Sequence, residues 1–197
     1  LKGVVMNFKN KVLPKETIVL VDTKTKKTYS TNSDAAGKFQ LLVPVGTKYS
    51  LKYKSFTNEM EYTEMDLPST PNQTYEVEIN IEAPTDFVLE NVFFDTGKAT
   101  LKPTSNKALN NLDDVLKLKN TMVVEIQGHT DNVGKPEDNM KLSQQRAEAV
   151  KTFLVSKGID TKRVTAKGYG DTSPVENNAT ESGKAKNRRT SLKVIKE

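Results

Sequence analysis

The segment GHTDNVGKPEDNMKLSQQRAEAV, residues 128–150, holds the chain's only histidine, His129, together with Asp131 and Arg146. Residues two apart in an extended strand share one side, so His129 and Asp131 could serve as the base and the orienting acid of a hydrolase. Such a site also needs a nucleophile, and the sequence has no glycine-flanked serine of the nucleophile-elbow type. Catalytic zinc generally takes two or three histidines, which this chain lacks. We therefore expect no catalytic residue and no metal ligand, and a His129 satisfied by backbone hydrogen bonds at a strand end.

The same segment could form a binding pocket for a small zwitterion. Asp131 begins a loop after a predicted strand, and Arg146 lies in the first turn of the next helix if Ser143 is its N-cap. Asn139 or Asp138 is an alternative start that leaves Arg146 farther along. Free N–H groups at a helix start and a nearby arginine attract a carboxylate, while Asp131 would attract an ammonium group. The alternative is an ion pair between Asp131 and Arg146 that ties the loop to the helix.

Composition narrows the class of protein. The chain has 197 residues, 35% of them hydrophobic, which is enough to bury a core. It has no cysteine, which excludes disulfides and zinc thiolate sites within these residues. The net charge of +5 comes from 30 basic and 25 acidic residues that are interspersed, and only 7% of residues are aromatic. This pattern argues against a nucleic-acid partner. Because the sequence starts at Leu1 without an initiator methionine or signal segment, we expect a processed form or a piece of a longer chain.

The first 84 residues alternate apolar and polar side chains in short runs separated by turn residues, which indicates antiparallel strands. In TKYSLKYKS, for example, Tyr49, Leu51 and Tyr53 share one face and lysines share the other. Several short strands with frequent turns predict an all-β sandwich domain over residues 1–84. The predicted strands are 15–22, 27–31, 38–43, 47–55 and 75–82.

A motif in this half resembles the carboxypeptidase regulatory-like, transthyretin-like β-sandwich family. The matching residues are Gly3 and Val5 of the opening G-x-V, then Asp34, Gly37 and Phe39 of D-x-x-G-x-F, with Ser33 where the family usually has threonine. The resemblance covers roughly the first 80 residues and implies a structural or adhesive spacer.

From Thr85 onward, strand patterns alternate with helix patterns. Strands are predicted in DFVLENVFF, TMVVEIQG, RVTAKGYG and RTSLKVI, and helices in PTSNKALNNLDDVLKLK, in the second part of residues 128–150 extending to Gly158, and in ESGKAKNRR. The order β-α-β-α-β-(α)-β predicts a two-layer α/β sandwich with a mixed sheet over residues 85–197.

Several motifs of this half, taken in order, resemble the OmpA-like C-terminal domain family. They are VFFDTGKATL, T-D-x-x-G, N-x-x-L-S-x-x-R-A and N-R-R, and the resemblance covers about residues 87–195. It implies noncovalent binding of peptidoglycan through the diaminopimelate residue of the stem peptide, without turnover and without a cofactor. It also implies a periplasmic location, as part of an outer-membrane-associated protein of a Gram-negative-type bacterium whose membrane attachment lies upstream of this chain.

Carried over to this sequence, the family's recognition residues are Asp131 for the ammonium and Arg146 for the carboxylate of diaminopimelate. Gly97 stands where some relatives have a polar side chain, so one ligand contact would be missing. The rival hypotheses are a purely structural or adhesive segment and a cell-wall hydrolase that uses His129. The resemblance gives supporting roles to Thr130, Asn139 and Leu142 around the loop, to Phe94 and Asp95 at the pocket wall, and to Arg188, which would contact the ligand or brace Asp95.

Overall fold

The computed structural model describes residues 1–55, 58–70, 73–81 and 85–196. The chain divides into two compact units, Leu1–Ala83 and Pro84–Glu197. The predicted domain boundary at residue 84 falls outside the described residues. Each unit has its own sheets.

The first unit consists of two sheets. The strands are β1 (Lys2–Met6), β2 (Thr17–Asp22), β3 (Thr28–Asn32), β4 (Lys38–Gln40), β5 (Thr47–Ser55), β6 (Asn58–Leu67) and β7 (Glu76–Asn80). One sheet has the order β4-β1-β7 and the other β3-β2-β5-β6. Tyr49 and Leu51 on β5 are fully buried, as the alternation predicts. Strand β6 was not predicted, because it is rich in acidic residues and has only one β-branched residue, Thr63.

Both sheets of this unit contribute to one hydrophobic cluster, which includes Val5, Ile18, Leu20, Phe39, Tyr49, Leu51, Leu67 and Ile79. The structure explains the residue types of the G-x-V and D-x-x-G-x-F motifs. A Cβ atom on Gly3 would lie 2.6 Å from the Phe39 ring, so the ring packs directly on the glycine. Oδ1 of Asp34 accepts hydrogen bonds from the N–H groups of Ala36 and Lys38, and Gly37 has a φ of +72° that favours glycine.

The second unit has the predicted order of strands and helices. Its elements are β8 (Asp86–Val88), α1 (Asn106–Leu118), β9 (Val123–Gly128), α2 (Pro136–Ser156), β10 (Val164–Gly168), α3 (Glu181–Asn187) and β11 (Thr190–Lys196). The sheet order is β10-β9-β11-β8, with β10 parallel to β9 and β11 antiparallel to both β9 and β8. The predicted mixed sheet is therefore confirmed.

Two predicted boundaries in this unit are wrong. The first strand ends at Val88, and Phe94 instead forms an isolated bridge with Leu101. Helix α2 begins at Pro136, not at Ser143, Asn139 or Asp138. Proline suits the first position of a helix because its missing N–H has no partner there. Arg146 consequently lies in the third turn of α2, away from the free N–H groups of the helix start.

Arg163 holds the end of α1 against the sheet layer. Its Nη2 donates to the carbonyls of Leu116 (2.7 Å) and Lys119 (2.8 Å), and its Nε donates to the carbonyl of Met122 (3.0 Å). These carbonyls lie at and just beyond the helix end, where backbone acceptors lack helical partners.

We expect Arg163→Ala to lower the free energy of unfolding by about 2 kcal/mol, because it leaves these carbonyls without their charged donor. Urea unfolding followed by the helical circular dichroism signal measures this loss. The exposed neighbour Lys162 provides the control, since Lys162→Ala removes the same charge and should change stability by less than ~0.5 kcal/mol. Equal losses in the two variants would contradict the role assigned to Arg163.

Candidate ligand-binding site

Helix α2 lies directly on the sheet at two glycines. A Cβ atom on Gly128 would come within 2.1 Å of the carbonyl oxygen of Ser143, and one on Gly168 within 2.4 Å of the N of Gln144. The Ser143 hydroxyl is completely buried here and accepts a hydrogen bond of 2.9 Å from the N–H of Gly170. This close contact fixes the distance of α2 from the sheet and its rotation about its axis. It thereby positions Arg146, which lies one turn after Ser143.

The loop after β9 presents a buried carboxylate. Asp131 is 7% exposed, and its Oδ1 accepts a hydrogen bond from the N–H of Val133 at 3.1 Å. Its carbonyl accepts from Nδ2 of Asn139 (3.2 Å) and from the Thr130 hydroxyl (2.8 Å). The N–H of Thr130 in turn donates to the carbonyl of Gly170. Thr130 and Asn139 therefore order the loop around Asp131.

The ion-pair partner of Asp131 is Arg188. Nη1 of Arg188 lies 2.5 Å from Oδ2 of Asp131, and Arg188 is the residue that directly follows α3. The predicted alternative, an internal pair of Asp131 with Arg146, named the wrong arginine. Within the described residues, no hydrogen bond or ion pair joins Arg188 to Asp95. The N–H and carbonyl of Asp95 instead close a turn with Thr100 and Lys98.

Arg146 is half-buried, and a backbone carbonyl and an aromatic ring hold its side chain in place. Its Nε donates to the carbonyl of Lys98 at 3.0 Å, and its guanidinium carbon lies 5.1 Å from the centre of the Phe94 ring. Burial lowers the pKa of Arg146, the negative charge of Asp131 opposes that change, and the positive charge of Arg188 adds to it. The three charged groups are thus close enough to interact. The terminal nitrogens of Arg146 have no hydrogen-bond partner in the described part of the chain, so they can donate to a ligand.

A cleft of about 320 Å³ opens beside these groups. Of the predicted site residues, Phe94, Arg146 and Arg188 line it, whereas Asp131 and Thr130 of the loop after β9 and Asn139 of α2 do not. Leu142 and Asp95 are half-buried and do not line the cleft. Gly97 does line it, with a φ of +67° and open space where a side chain would be. The other lining residues are Val92, Phe93, Thr96 and Ala185.

Residues 93–188, which include every lining residue of this cleft except Val92, match the model of the OmpA family. This stretch of the chain is similar to the OmpA family. Over 103 residues the chain is 46% identical to outer membrane porin F of Pseudomonas fluorescens, an alignment that covers 52% of this chain and 32% of the porin. Over 103 residues it is 38% identical to the peptidoglycan-binding protein ArfA of Mycobacterium tuberculosis, again covering 52% of this chain and 32% of the relative. The chain therefore spans about a third of the length of these relatives.

Among solved structures, a MotB-like protein of Desulfovibrio vulgaris shares the fold of this unit. The superposition has a TM-score of 0.51 at 28% identity and covers 55% of this chain and 70% of that one. The OmpA-like fold predicted from the sequence is therefore supported for the C-terminal part of the chain.

His129 lies in the second unit and does not line the cleft. It is 4% exposed, and its ring stacks on Tyr169 with 5.3 Å between ring centres. Its Nε2 is 3.0 Å from the Ser191 hydroxyl, while Nδ1 is buried without a partner. The backbone N–H of His129 donates to the carbonyl of Arg189 at 3.0 Å, whereas the partner of its side chain is a hydroxyl and not a backbone group. Burial, with a smaller contribution from the positive charge of Arg189, lowers the pKa of His129 to about 4.

Sequence reasoning missed the role of Asn187. This side chain is completely buried and makes four hydrogen bonds: its Oδ1 accepts from the N–H groups of Val175 and Glu176, and its Nδ2 donates to the Glu176 carbonyl and to Asn178. It fixes the loop before α3 and thereby the helix end that carries Arg188. The N-R-R motif contained this information, but only its first arginine was interpreted.

No cluster of three metal-binding side chains occurs among the residues that the structure describes. In the same residues, no helix combines the length and apolar character that crossing a bilayer requires.

Proposed function

We propose that the second unit binds peptidoglycan noncovalently, through the diaminopimelate residue of its stem peptide. By this contact it would anchor an outer-membrane-associated protein to the cell wall from the periplasm. The match to the OmpA family and the similarity to the peptidoglycan-binding protein ArfA support a peptidoglycan ligand. The observation that carries the proposal is Arg146, whose guanidinium is fixed by Phe94 and Lys98 while its terminal nitrogens remain available beside the pair of Asp131 and Arg188.

The three charged groups fit the zwitterionic end of diaminopimelate. Arg146 and Arg188 together carry two positive charges against the single negative charge of Asp131, which leaves a net attraction for a carboxylate. The ammonium group of the ligand would approach Oδ2 of Asp131, where it shares or replaces Arg188. An Arg188 guanidinium released from Asp131 could then donate to the same carboxylate as Arg146. The start of α2 has no part in this proposal, because it lies about three turns before Arg146.

The arrangement also implies selectivity. A lysine-type stem has the ammonium group but lacks the adjoining carboxylate, so Arg146 would lose its water contacts and gain no partner. Unpaired polar groups of this kind disfavour the wrong ligand. We propose that the first unit, in line with its resemblance to carboxypeptidase regulatory-like domains, is a spacer for this binding unit.

Calorimetric titration with a stem peptide that contains diaminopimelate tests the site. We expect Asp131→Ala and Arg146→Ala each to weaken binding by about 1.5 to 3 kcal/mol, the range for hydrogen bonds to charged groups. Lys98→Ala is the matched control, because it removes a positive charge near the cleft and leaves the backbone carbonyl that holds Arg146. Its effect should stay within ~0.5 kcal/mol. If both site variants remain folded and bind like the wild type, the site is assigned wrongly.

Binding without turnover is favoured over hydrolysis by the position of His129. Its imidazole is stacked and buried, so it does not face the cleft. Incubation with purified sacculi of the diaminopimelate type distinguishes the two functions. We expect the protein to sediment with the sacculi and to release no soluble muropeptides, whereas release would establish a wall hydrolase. Failure to sediment would support a purely structural or adhesive segment.

A further inference from the structure

The turn between β1 and β2 exposes an aromatic side chain. Phe8, in the sequence NFKNK, is 68% exposed, and its neighbours Lys9 and Lys11 are exposed as well. Burying a phenylalanine is worth roughly 1.5–3 kcal/mol, and the fold gains little of this. Packing in the hydrophobic core therefore does not explain why a phenylalanine stands at position 8.

The turn is built to hold Phe8 outward. Oδ1 of Asn7 accepts hydrogen bonds from the N–H groups of Lys9 (2.9 Å) and Lys11 (3.0 Å). The backbone of Asn7 adds two more, donating to the carbonyl of Lys11 and accepting from the N–H of Asn10, each at 2.9 Å. Asn10 has a φ of +59°, a left-handed conformation that asparagine tolerates. These bonds organise the backbone before any partner arrives, which lowers the entropy lost on binding.

The surroundings of the turn extend this surface. Val12 is 37% exposed and forms a bridge with Met6 at the base of the turn. The turn that ends at Gly37 lies against it, since a Cβ atom on Gly37 would be 3.0 Å from Cβ of Val12. The carboxylate of Asp34 in that second turn already accepts hydrogen bonds from two backbone N–H groups. The exposed surface of this turn therefore combines apolar side chains with adjacent lysines.

We propose that this tip, defined by Phe8, Lys9, Lys11 and Val12, docks on the surface of an anionic lipid bilayer. Phe8 would enter the boundary between head groups and acyl chains, and the two lysines would contact lipid phosphates. Amphipathic elements that attach to membranes combine apolar and basic side chains in this way. A stable protein interface requires about 800 Å² from each partner, far more than four side chains supply, whereas a bilayer requires no complementary shape. This attachment is independent of the peptidoglycan site.

Vesicle cosedimentation with the full chain tests the proposal. We expect binding to vesicles of equal parts phosphatidylglycerol and phosphatidylcholine, and none to pure phosphatidylcholine. Lys9→Ser with Lys11→Ser should weaken binding about 25-fold, at about fivefold for each lysine. Phe8→Ser should weaken it about tenfold.

Matched controls use other exposed residues of the same unit. Lys24→Ser with Lys26→Ser removes the same charge from the turn between β2 and β3, and Leu42→Ser removes a side chain that is 84% exposed. Both controls should keep the wild-type affinity. Equal losses in the controls, or no binding of the wild type to anionic vesicles, would overturn the proposal. Concentration-dependent dimers that Phe8→Ser abolishes would overturn it too, by assigning the tip to a second copy of the chain.

Discussion

Replacing Gly128 by alanine should cost about 3 kcal/mol or more of unfolding free energy, a large effect for the addition of one methyl group. The new Cβ would lie 2.1 Å from the carbonyl oxygen of Ser143 and 2.8 Å from its carbonyl carbon. Both atoms belong to the backbone of α2, so no side chain can rotate away and the whole helix must move. Gly128 itself does not have a positive φ, so the cost comes from the collision alone.

A second glycine separates this collision from a general effect of alanine. Gly97 has open space around its Cα but a φ of +67°, so Gly97→Ala should cost only the left-handed strain of about 1 to 2 kcal/mol. Urea unfolding followed by helical circular dichroism compares the two variants, because the three α-helices of the described chain lie in the second unit. If Gly128→Ala is the milder variant, α2 is not seated on β9 as described.

The same substitution should impair binding even where the protein stays folded. Ser143 and Arg146 lie one turn apart on α2, so lifting the helix at Ser143 displaces the Arg146 guanidinium from Phe94 and Lys98. Titration of the Gly128→Ala variant with the stem peptide should therefore show weaker binding than titration of Gly97→Ala. The fold and the proposed site are coupled through one backbone contact.

The sequence predicts the order of elements in the second unit mainly because α1 and the later part of α2 each have an apolar stripe. In α2 the buried stripe begins with Asn139 and Ser143 before it becomes apolar at Ala147. Polar residues at those positions resemble caps, which is why the predicted start was too late. Ser143 is buried against the glycine backbone of the sheet at Gly128 and Gly168, and Asn139 is buried against the loop carbonyl of Asp131. These contacts are visible only in three dimensions.

The sequence identifies the charged residues of the site by their type, but it does not show which arginine forms the ion pair with Asp131. Asp131, Arg146 and Arg188 were all named from the sequence, yet either arginine could satisfy the carboxylate equally well. Pairing depends on where α3 ends relative to the loop after β9, and Asn187 sets that distance through hydrogen bonds to backbone groups. The sequence alone does not distinguish a buried asparagine with four hydrogen-bond partners from an exposed one.

Acid should destabilise the second unit through His129, by about 3 kcal/mol in total. The pKa of this histidine falls from its ordinary 6.5 to about 4 in the folded protein, because burial and Arg189 disfavour the charged ring. The unfolded chain takes up the proton near pH 6.5 while the folded chain resists until about pH 4. Between these values the unfolded state binds more protons, so stability is complete above the upper pH and is lost as the pH falls toward the lower one.

A variant without a titrating ring isolates this contribution. His129→Phe keeps an aromatic ring to stack on Tyr169 but gives up the contact with Ser191, so it should be less stable than the wild type at neutral pH. Carboxylates titrate in both proteins alike, and the stability difference should therefore shrink as the pH falls from 6.5 to about 4. Because the chain has a single histidine, its imidazole resonance can be followed by nuclear magnetic resonance in the folded state. A resonance that titrates near pH 6.5, or a stability difference that does not change with pH, would contradict the burial of a neutral His129 beside Arg189.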